Sequence, residues 1–366
     1  MDATCDDFPA VVLSNGVIEA TILLVGGSLV RLALAGDENA LSPLWNPRRI
    51  AAGRPHPFGN GPGFGHFVCV DGFGMPSPEE RRAGLPMHGE AHRQRFEAIE
   101  NSPCRLKLAA ELPLVQEFFT RTFSLVDGEN VLYVSSELHN CMAFDRPVHW
   151  AEHATIGWPF LERCATVVDM PAVRARTRAW GPGADLPHRL ASSREFTWPI
   201  APGVDGRAID LRAAGREPSG DHTACLMDAA RPLAYVTFLH PERQLLLGYV
   251  FRSDEFPWVQ NWEYYPGDDQ LARGLEFSTM PFDVPRREAV DMHALFETPT
   301  YRWLPAKDTI GSRFLLFWTR TPAGFARIGD VRLEGGAIVV CEADGGTLEL
   351  SASLGWELSS DKDRRV

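Results

Sequence analysis

Apolar and polar residues alternate with a period of two along much of the chain, and no helical stripe of convincing length interrupts them. The clearest stretch spans 114–158. LVQEFFTRTFSLV (114–126) is rich in β-branched and aromatic residues, and Asp127-Gly128 after it is a hairpin signal. ENVLYVSSELHN (129–140) predicts the returning strand and PVHWAEHATIGW (147–158) a third, so the three are expected to form a meander. Further strands are predicted over 17–34, 105–112, 233–239, 244–251 and 313–321. AIVVCEADGGTLELSAS (337–353) sets Gly345-Gly346 between two alternating runs, a second hairpin. Many short strands with frequent turns mean an all-β protein, and at 366 residues a large antiparallel β-sandwich. The 32 glycines and 28 prolines supply the turns. The stretch 171–222 is the least regular and is expected to be an excursion over the sheet. Neither a repeat nor a low-complexity linker divides the chain, so 1–366 reads as one domain.

Composition narrows the function. Lys and Arg total 36 against 48 Asp and Glu, a formal net charge of −12. Such a chain repels phosphate backbones, and its basic runs, RRIAAGR (48–54) and EERRAG (79–84), are short and diluted, so nucleic acid is not an expected partner. No run approaches the roughly 18 apolar residues of a membrane span, and MDATCDDFPA lacks the plan of a signal peptide. The seven cysteines are scattered, with no CxxC. That pattern suits a reducing compartment, and a cytoplasmic location is expected.

Candidate chemistry gathers in three places. GLPMHGEAHRQRFE (84–97) holds His88, Glu90 and His92; PVHWAEHATIGWPF (147–160) holds His149, Glu152 and His153. A single histidine in a β protein is most often structural, whereas two clusters followed by apolar residues raise the functional reading. His149-Trp-Ala-Glu152-His153 also spells HxxEH, an inverted zinc-peptidase pattern that needs a helix. The segment alternates as a strand instead. Positions four apart then lie roughly 13 Å apart, too far to share one zinc, and no metal is expected.

The third place is WEYYPGDDQLARGLEFSTMPFDVPR (262–286), where Glu276 sits between Leu275 and Phe277. Buried there, it would hold its proton towards neutral pH and suit a general base; on an edge strand it would merely point outward. Both readings stay open. Phe256, Trp258, Trp262, Tyr264 and Tyr265 nearby offer flat faces of the kind that meet sugar rings, or simply pack a sheet. The acid pairs Asp254-Glu255 and Asp268-Asp269 lie in turn-like sequence and are expected to be solvated.

These segments, in this order, resemble the aldose 1-epimerase (galactose mutarotase-like) superfamily, nearer its hexose-phosphate and uncharacterised bacterial branches. The resemblance rests on SNGVIEATILLVGGSLVRLAL (14–34), LSPLWNP (41–47), GFGHFVCVDGFGMP (63–76), GLPMHGEAH (84–92), FTRTFSLVDGENVLYVSSELHN (119–140), HWAEHATIGWPF (149–160) and GLEFST (274–279), and covers about residues 12–300. It implies a supersandwich fold, no cofactor, and a small-molecule sugar whose α and β anomers are interconverted. It further implies Glu276 as general base, His153 as general acid to the ring oxygen, and His88 as a second donor there. His92, Glu90, Trp150, Trp262 and Glu263 are expected to contact the sugar. Two positions depart from the family. His92 stands where the hexose-phosphate branch has an arginine, and His153-Ala-Thr-Ile-Gly replaces the HxYFNL-like signature of the galactose enzymes. A non-catalytic carbohydrate-binding protein on the same fold is the alternative, and a metallohydrolase using the histidine clusters a further one.

Overall fold

In the computed structural model, residues 2–37, 41–50, 61–180, 185–267 and 270–355 are described. Asp268-Asp269 and most of RRIAAGR therefore lie outside the described residues. Two antiparallel sheets of eleven and eight strands dominate. The eight-stranded sheet contains the neighbours Arg105–Leu112, Glu117–Leu125 and Val131–Asn140, followed by Thr309–Arg320, Leu245–Arg252 and Leu233–His240. The hairpin read from Asp127-Gly128 is present, and Glu117 to Leu125 pair in register with Asn140 to Leu132.

The third strand of the expected meander goes elsewhere. Trp150–Gly157 lies in the eleven-stranded sheet, between His66–Val70 and Ala272–Ser278. The chain leaves the smaller sheet through Arg146–Val148, which pairs with Arg302–Leu304. All eight residues of Trp150–Gly157 are buried, so the strand needs cover on both faces, and an interior position supplies it. The expected excursion is likewise only partly one. Ala172–Thr177 and Ser219–Met227 pair with each other in the large sheet, and the irregular chain runs between them.

Apolar side chains from the facing sheets fill the sandwich. Val68, Trp150, Ile156, Leu275 and Phe277 meet Leu108, Phe119, Leu132, Tyr249 and Phe314. A three-stranded sheet, Ile328–Glu334, Ala337–Glu342 and Thr347–Ser351, contains the predicted C-terminal hairpin. It packs Val331, Ile338 and Val340 against Val131, Tyr235 and Leu246 of the eight-stranded sheet. Helices are short: Pro47–Ile50, Pro78–Arg82 and Arg286–Met292. Among the described residues no helix is long and apolar enough to cross a membrane.

Candidate functional site

Five neighbouring strands of the large sheet run His66–Val70, Trp150–Gly157, Ala272–Ser278, Trp258–Tyr265 and Ser219–Met227. Alternation sends successive side chains to opposite faces. Phe67, His153, Glu276, Gln260, Trp262 and His222 therefore share the face turned away from the sandwich core. The register agrees: Gln260 pairs with Glu276, and His222 with Trp262. Glu152 pairs with Phe277 and Thr155 with Gly274, which sets His153 across from Glu276. Over this face runs the loop that begins at Asp71. The short helix Pro78–Arg82 anchors it through a capping box, in which Ser77 Oγ accepts the Glu80 N–H and the Glu80 carboxylate accepts the Ser77 N–H. His88 follows, with backbone in the left-handed region at φ 67°, and so does Gly89 at φ 78°. Only glycine fits at 89, because a Cβ there would stand 2.3 Å from the Val70 carbonyl oxygen.

The loop brings His88 against His153, with ring centroids 5.3 Å apart, and Phe67 stacks on His153 at 4.2 Å. His153 Nε2 lies 3.2 Å from Glu276 Oε1, while its Nδ1 is 2.8 Å from the Thr155 hydroxyl. Trp262 stands beside His153, its ring centroid 6.3 Å away. Thus His88, His153, Glu276 and Trp262 converge from four separate segments. The Gly74 N–H donates to His88 Nδ1 at 3.2 Å. The neutral ring then carries its proton on Nε2, leaving a donor free to serve a ligand.

Glu276 makes its turn into this group because Gly274 has no side chain. A Cβ at 274 would fall 2.2 Å from Glu276 Oε1. Of the two readings of Glu276, the buried one holds: the residue is 2% exposed. Burial drives its carboxyl well above the usual range, with the Arg178 charge opposing. Burial likewise pushes His153 down to about 3, and neighbouring histidines add to the effect. His88 is held well below its ordinary value by desolvation and by the charges of His153, His92 and Arg93. Each of these groups is thereby pressed towards its neutral form. His92 adjoins the cluster, 5.7 Å from Phe67 and 6.1 Å from His88. Its Nε2 accepts from Arg93 Nε at 3.2 Å.

A polar group that sequence reasoning missed lies beside Glu276. Arg178 Nη1 is 3.0 Å from His222 Nδ1 and is paired with Asp283, and His222 Nδ1 is 3.2 Å from Asp283 Oδ1. The Gln260 side chain meets the His222 ring on this face. Desolvation, with help from Arg178, holds His222 down to about 3. The only signal in the sequence was a lone histidine in SGDHTACLM, with nothing to tie it to Glu276 from a distance of 54 positions.

Three expected sugar contacts are corrected, two of them on the opposite face of the same strands. Trp150 is wholly buried in the sandwich, edge-on to Phe119, and its indole N–H donates to Glu152 Oε1 at 3.2 Å. Glu263 also points into the core, where Arg189 Nη2 lies 2.5 Å and Arg273 Nη2 3.5 Å from its carboxylate. Glu90, in the loop, spends both oxygens on protein donors, accepting from Gln94 Nε2 at 2.5 Å and from the Leu114 N–H at 2.9 Å. The HxxEH segment is a strand, as its alternation predicts. Glu152 turns away from His153 to meet Arg121 bidentately, at 3.0 and 2.8 Å, and His66 Nε2 at 2.9 Å. Fully buried His149 has no partner for either ring nitrogen. Among the described residues no group of three or more His, Cys, Asp or Glu is placed to hold a metal ion. Glu255, expected to be solvated, has a side chain only 19% exposed.

Phe67, Cys69, Phe73, Ala151, Ala224 and Trp258 pack together as an apolar layer beside His153 and Glu276. An aromatic and apolar layer set with a carboxylate and imidazoles in neutral form can hold a polyhydroxy ring and exchange protons with it.

Comparison with known proteins bears on the fold. No family model matches the chain, and comparison with curated proteins gives no match. Solved structures do resemble it. A galactose mutarotase related enzyme from Lactobacillus acidophilus has a TM-score of 0.58 at 12% identity, covering 86% of this chain and 99% of its own. A galactose mutarotase-like protein from Lactobacillus casei gives 0.57 at 13%, covering 85% and 100%. An aldose epimerase homologue from C. elegans gives 0.56 at 11%, covering 88% and 100%. With two facing antiparallel sheets of this size and these structural neighbours, the chain has the galactose mutarotase-like β-sandwich fold.

Proposed function

We propose that the protein is an aldose 1-epimerase-type isomerase acting on a sugar in the cleft above His153 and Glu276. The observation that carries this reading is the contact of His153 Nε2 with Glu276 Oε1 at 3.2 Å, beneath the His88 ring. A hemiacetal opens when a base takes the C1 hydroxyl proton while an acid protonates the ring oxygen. Those two oxygens are borne by one carbon, closer together than the two side-chain atoms, so a sugar lying over the pair can address both at once. The pair carries one proton, which the Glu276 carboxyl holds at rest and which passes to His153 as the Arg178 charge favours the carboxylate. Ionised Glu276 then takes the hydroxyl proton, the His153 imidazolium gives its Nε2 proton to the ring oxygen, and His88 Nε2–H stabilises the charge that develops there. Rotation about C1–C2 and reclosure with the roles reversed yields the other anomer. Trp262 supplies an aromatic wall, and the paired His222 and Gln260 side chains offer a polar edge to a hydroxyl remote from C1. Polarimetry of a freshly dissolved single anomer across a panel of aldoses tests the proposal. Acceleration by the wild-type protein that falls by about 10²-fold or more in Glu276→Gln is expected. Spontaneous rates throughout the panel would reject it.

A second reading, sugar binding without turnover, has one observation in its favour: His153 and Glu276 are both pressed towards neutral forms, which bind a hydroxyl without exchanging charge. Saturable binding of a sugar with no change in the rate of anomer exchange would select it.

A further inference from the structure

A second cavity of about 340 Å³ opens beyond the end of the strands that carry His222, Gln260 and Glu276. Its wall includes Thr279, three residues past Glu276, and Pro257, three residues before Gln260. Between Gln260 and that wall stands Trp258, wholly buried, its indole N–H donating to the Pro299 carbonyl at 2.9 Å. The cavity is therefore distinct from the cleft. Its lining mixes apolar residues, Leu226, Pro257 and Tyr301 among them, with the polar Glu255, Arg302 and Thr298.

The charges around it largely cancel. Arg252 holds Asp254 bidentately at 3.0 and 2.8 Å and comes within 3.7 Å of Glu255 Oε1. Glu255 and Asp254 act on the Arg302 guanidinium, while Glu255 Oε2 accepts the Arg313 N–H at 3.1 Å. Arg252 and Arg302 stand against Asp254 and a partly protonated Glu255, so little net charge remains to attract an ion. Several donors and acceptors do remain. Arg302 spends one N–H on the Gly311 carbonyl and keeps others. Burial raises the Glu255 carboxyl to about 7, so near neutral pH it both donates and accepts. A volume of 340 Å³ is at the lower end for ligand pockets, which run from about 300 to 1,000 Å³. It suits one small ring and excludes an oligosaccharide or a nucleotide.

From this cavity, lined by apolar and polar groups together and carrying little net charge, we infer a second binding site, for a single neutral sugar. The ring of Tyr301 lies against the C–H face, and Glu255, Arg302 and Thr298 meet the hydroxyls. The site does not depend on turnover in the cleft. The test uses methyl α-D-glucopyranoside and methyl β-D-galactopyranoside, which cannot ring-open, so its outcome is independent of the isomerase reading. In ¹⁵N TROSY titrations, the amides of Ala229, Glu255, Thr298 and Tyr301 should shift saturably with at least one probe. Ala229 is an exposed lining residue, and Ala229→Trp should abolish those shifts by filling the cavity. Tyr301→Ala should weaken binding about fivefold. Three results would each overturn the inference: no saturable shift at these amides up to about 100 mM, well above a millimolar Kd; shifts that persist in Ala229→Trp; or a larger response to glucuronate or glycine than to either glycoside.

Discussion

Gly274→Ala tests the cleft at the one point where a single methyl group should disable it. The new Cβ would stand 2.2 Å from Glu276 Oε1, 2.9 Å from Cδ and 3.0 Å from Cγ. Ordinary contact begins near 3.4 Å, so the carboxylate must retreat by more than about 1 Å. The backbone is no obstacle, since Gly274 is not among the residues with positive φ. The 3.2 Å contact with His153 is what the retreat breaks. A misplacement of about 1 Å costs on the order of 10²-fold in rate, or about 2.7 kcal/mol of transition-state stabilisation. Stability should change little. The reduced entropy of the unfolded chain contributes about 0.4–1 kcal/mol in favour, against an overpacking cost of about 1–3 kcal/mol, and Glu276 can relieve that cost by moving.

The assay is anomer exchange by polarimetry, with a thermal melt of the same preparation. Gly274→Ala should lose about two orders of magnitude in kcat and melt within a few degrees of wild type. Adding Glu276→Gln to it should lower the rate no further than Glu276→Gln alone, because both act on one group. A folded Gly274→Ala protein turning over at wild-type speed would refute the account of how Glu276 is held. So would losses that add in full.

Three other expectations concern the scaffold. Arg121→Met strands the Glu152 carboxylate in the core and should cost about 3–5 kcal/mol in urea unfolding; a loss below about 1 kcal/mol would mean the pair is dispensable. Glu263→Gln, which loosens the hold on wholly buried Arg273, should lower the melting temperature and leave KM for sugar unchanged; a raised KM at normal stability would return Glu263 to the sugar site. Acid should destabilise the fold through His149, His153 and His222, each held at about 3 by burial against an ordinary 6.5. The unfolded chain binds more protons between these values, so stability falls as pH drops from 6.5 towards 3. Glu276 works the other way, its raised carboxyl losing stability as pH climbs above 4.5. His88 and His92 add to the histidines, and Glu117, Asp221 and Glu255 to Glu276; with the histidines ahead, urea midpoints should be lower at pH 5 than at pH 7, and equal midpoints would count against the burial of the histidines.

Alternation along the chain revealed most of the strands but not which face of each was the core. Trp150–Gly157 and Ala272–Ser278 are buried on both sides, so polar and apolar residues occur on either face and the pattern has no dry side. This is why Trp150 and Glu263, read as facing a sugar, lie in the core instead. An acid inside a sandwich is tolerated only with a basic partner, and the partners lie far off in sequence. Arg121 is 31 positions from Glu152, and Arg189 is 74 from Glu263. The meander was misread for a related reason, since local pattern announces a strand but not the sheet that receives it. The order of weak motifs supplied the superfamily resemblance, whereas Arg178, His222 and Asp283 come together only through pairing across the irregular stretch.

The same double burial explains how the cleft can be held to tolerances of an ångström. His153 is fixed from the front by Phe67 and the Thr155 hydroxyl. One residue earlier, Glu152 is clamped bidentately from the opposite sheet by Arg121 and met from the neighbouring strand by His66. A slide of the strand by one residue would drive Glu152 into the cleft and His153 into the core, breaking every one of these bonds. The buried ion pair adds little net stability, because its desolvation cost offsets most of its attraction. What it does supply is register. Arg121→Met paired with Glu152→Met separates the two roles: the double substitution should recover much of the stability lost in Arg121→Met while anomer exchange stays impaired. Full recovery of both would show that the clamp has no part in positioning His153.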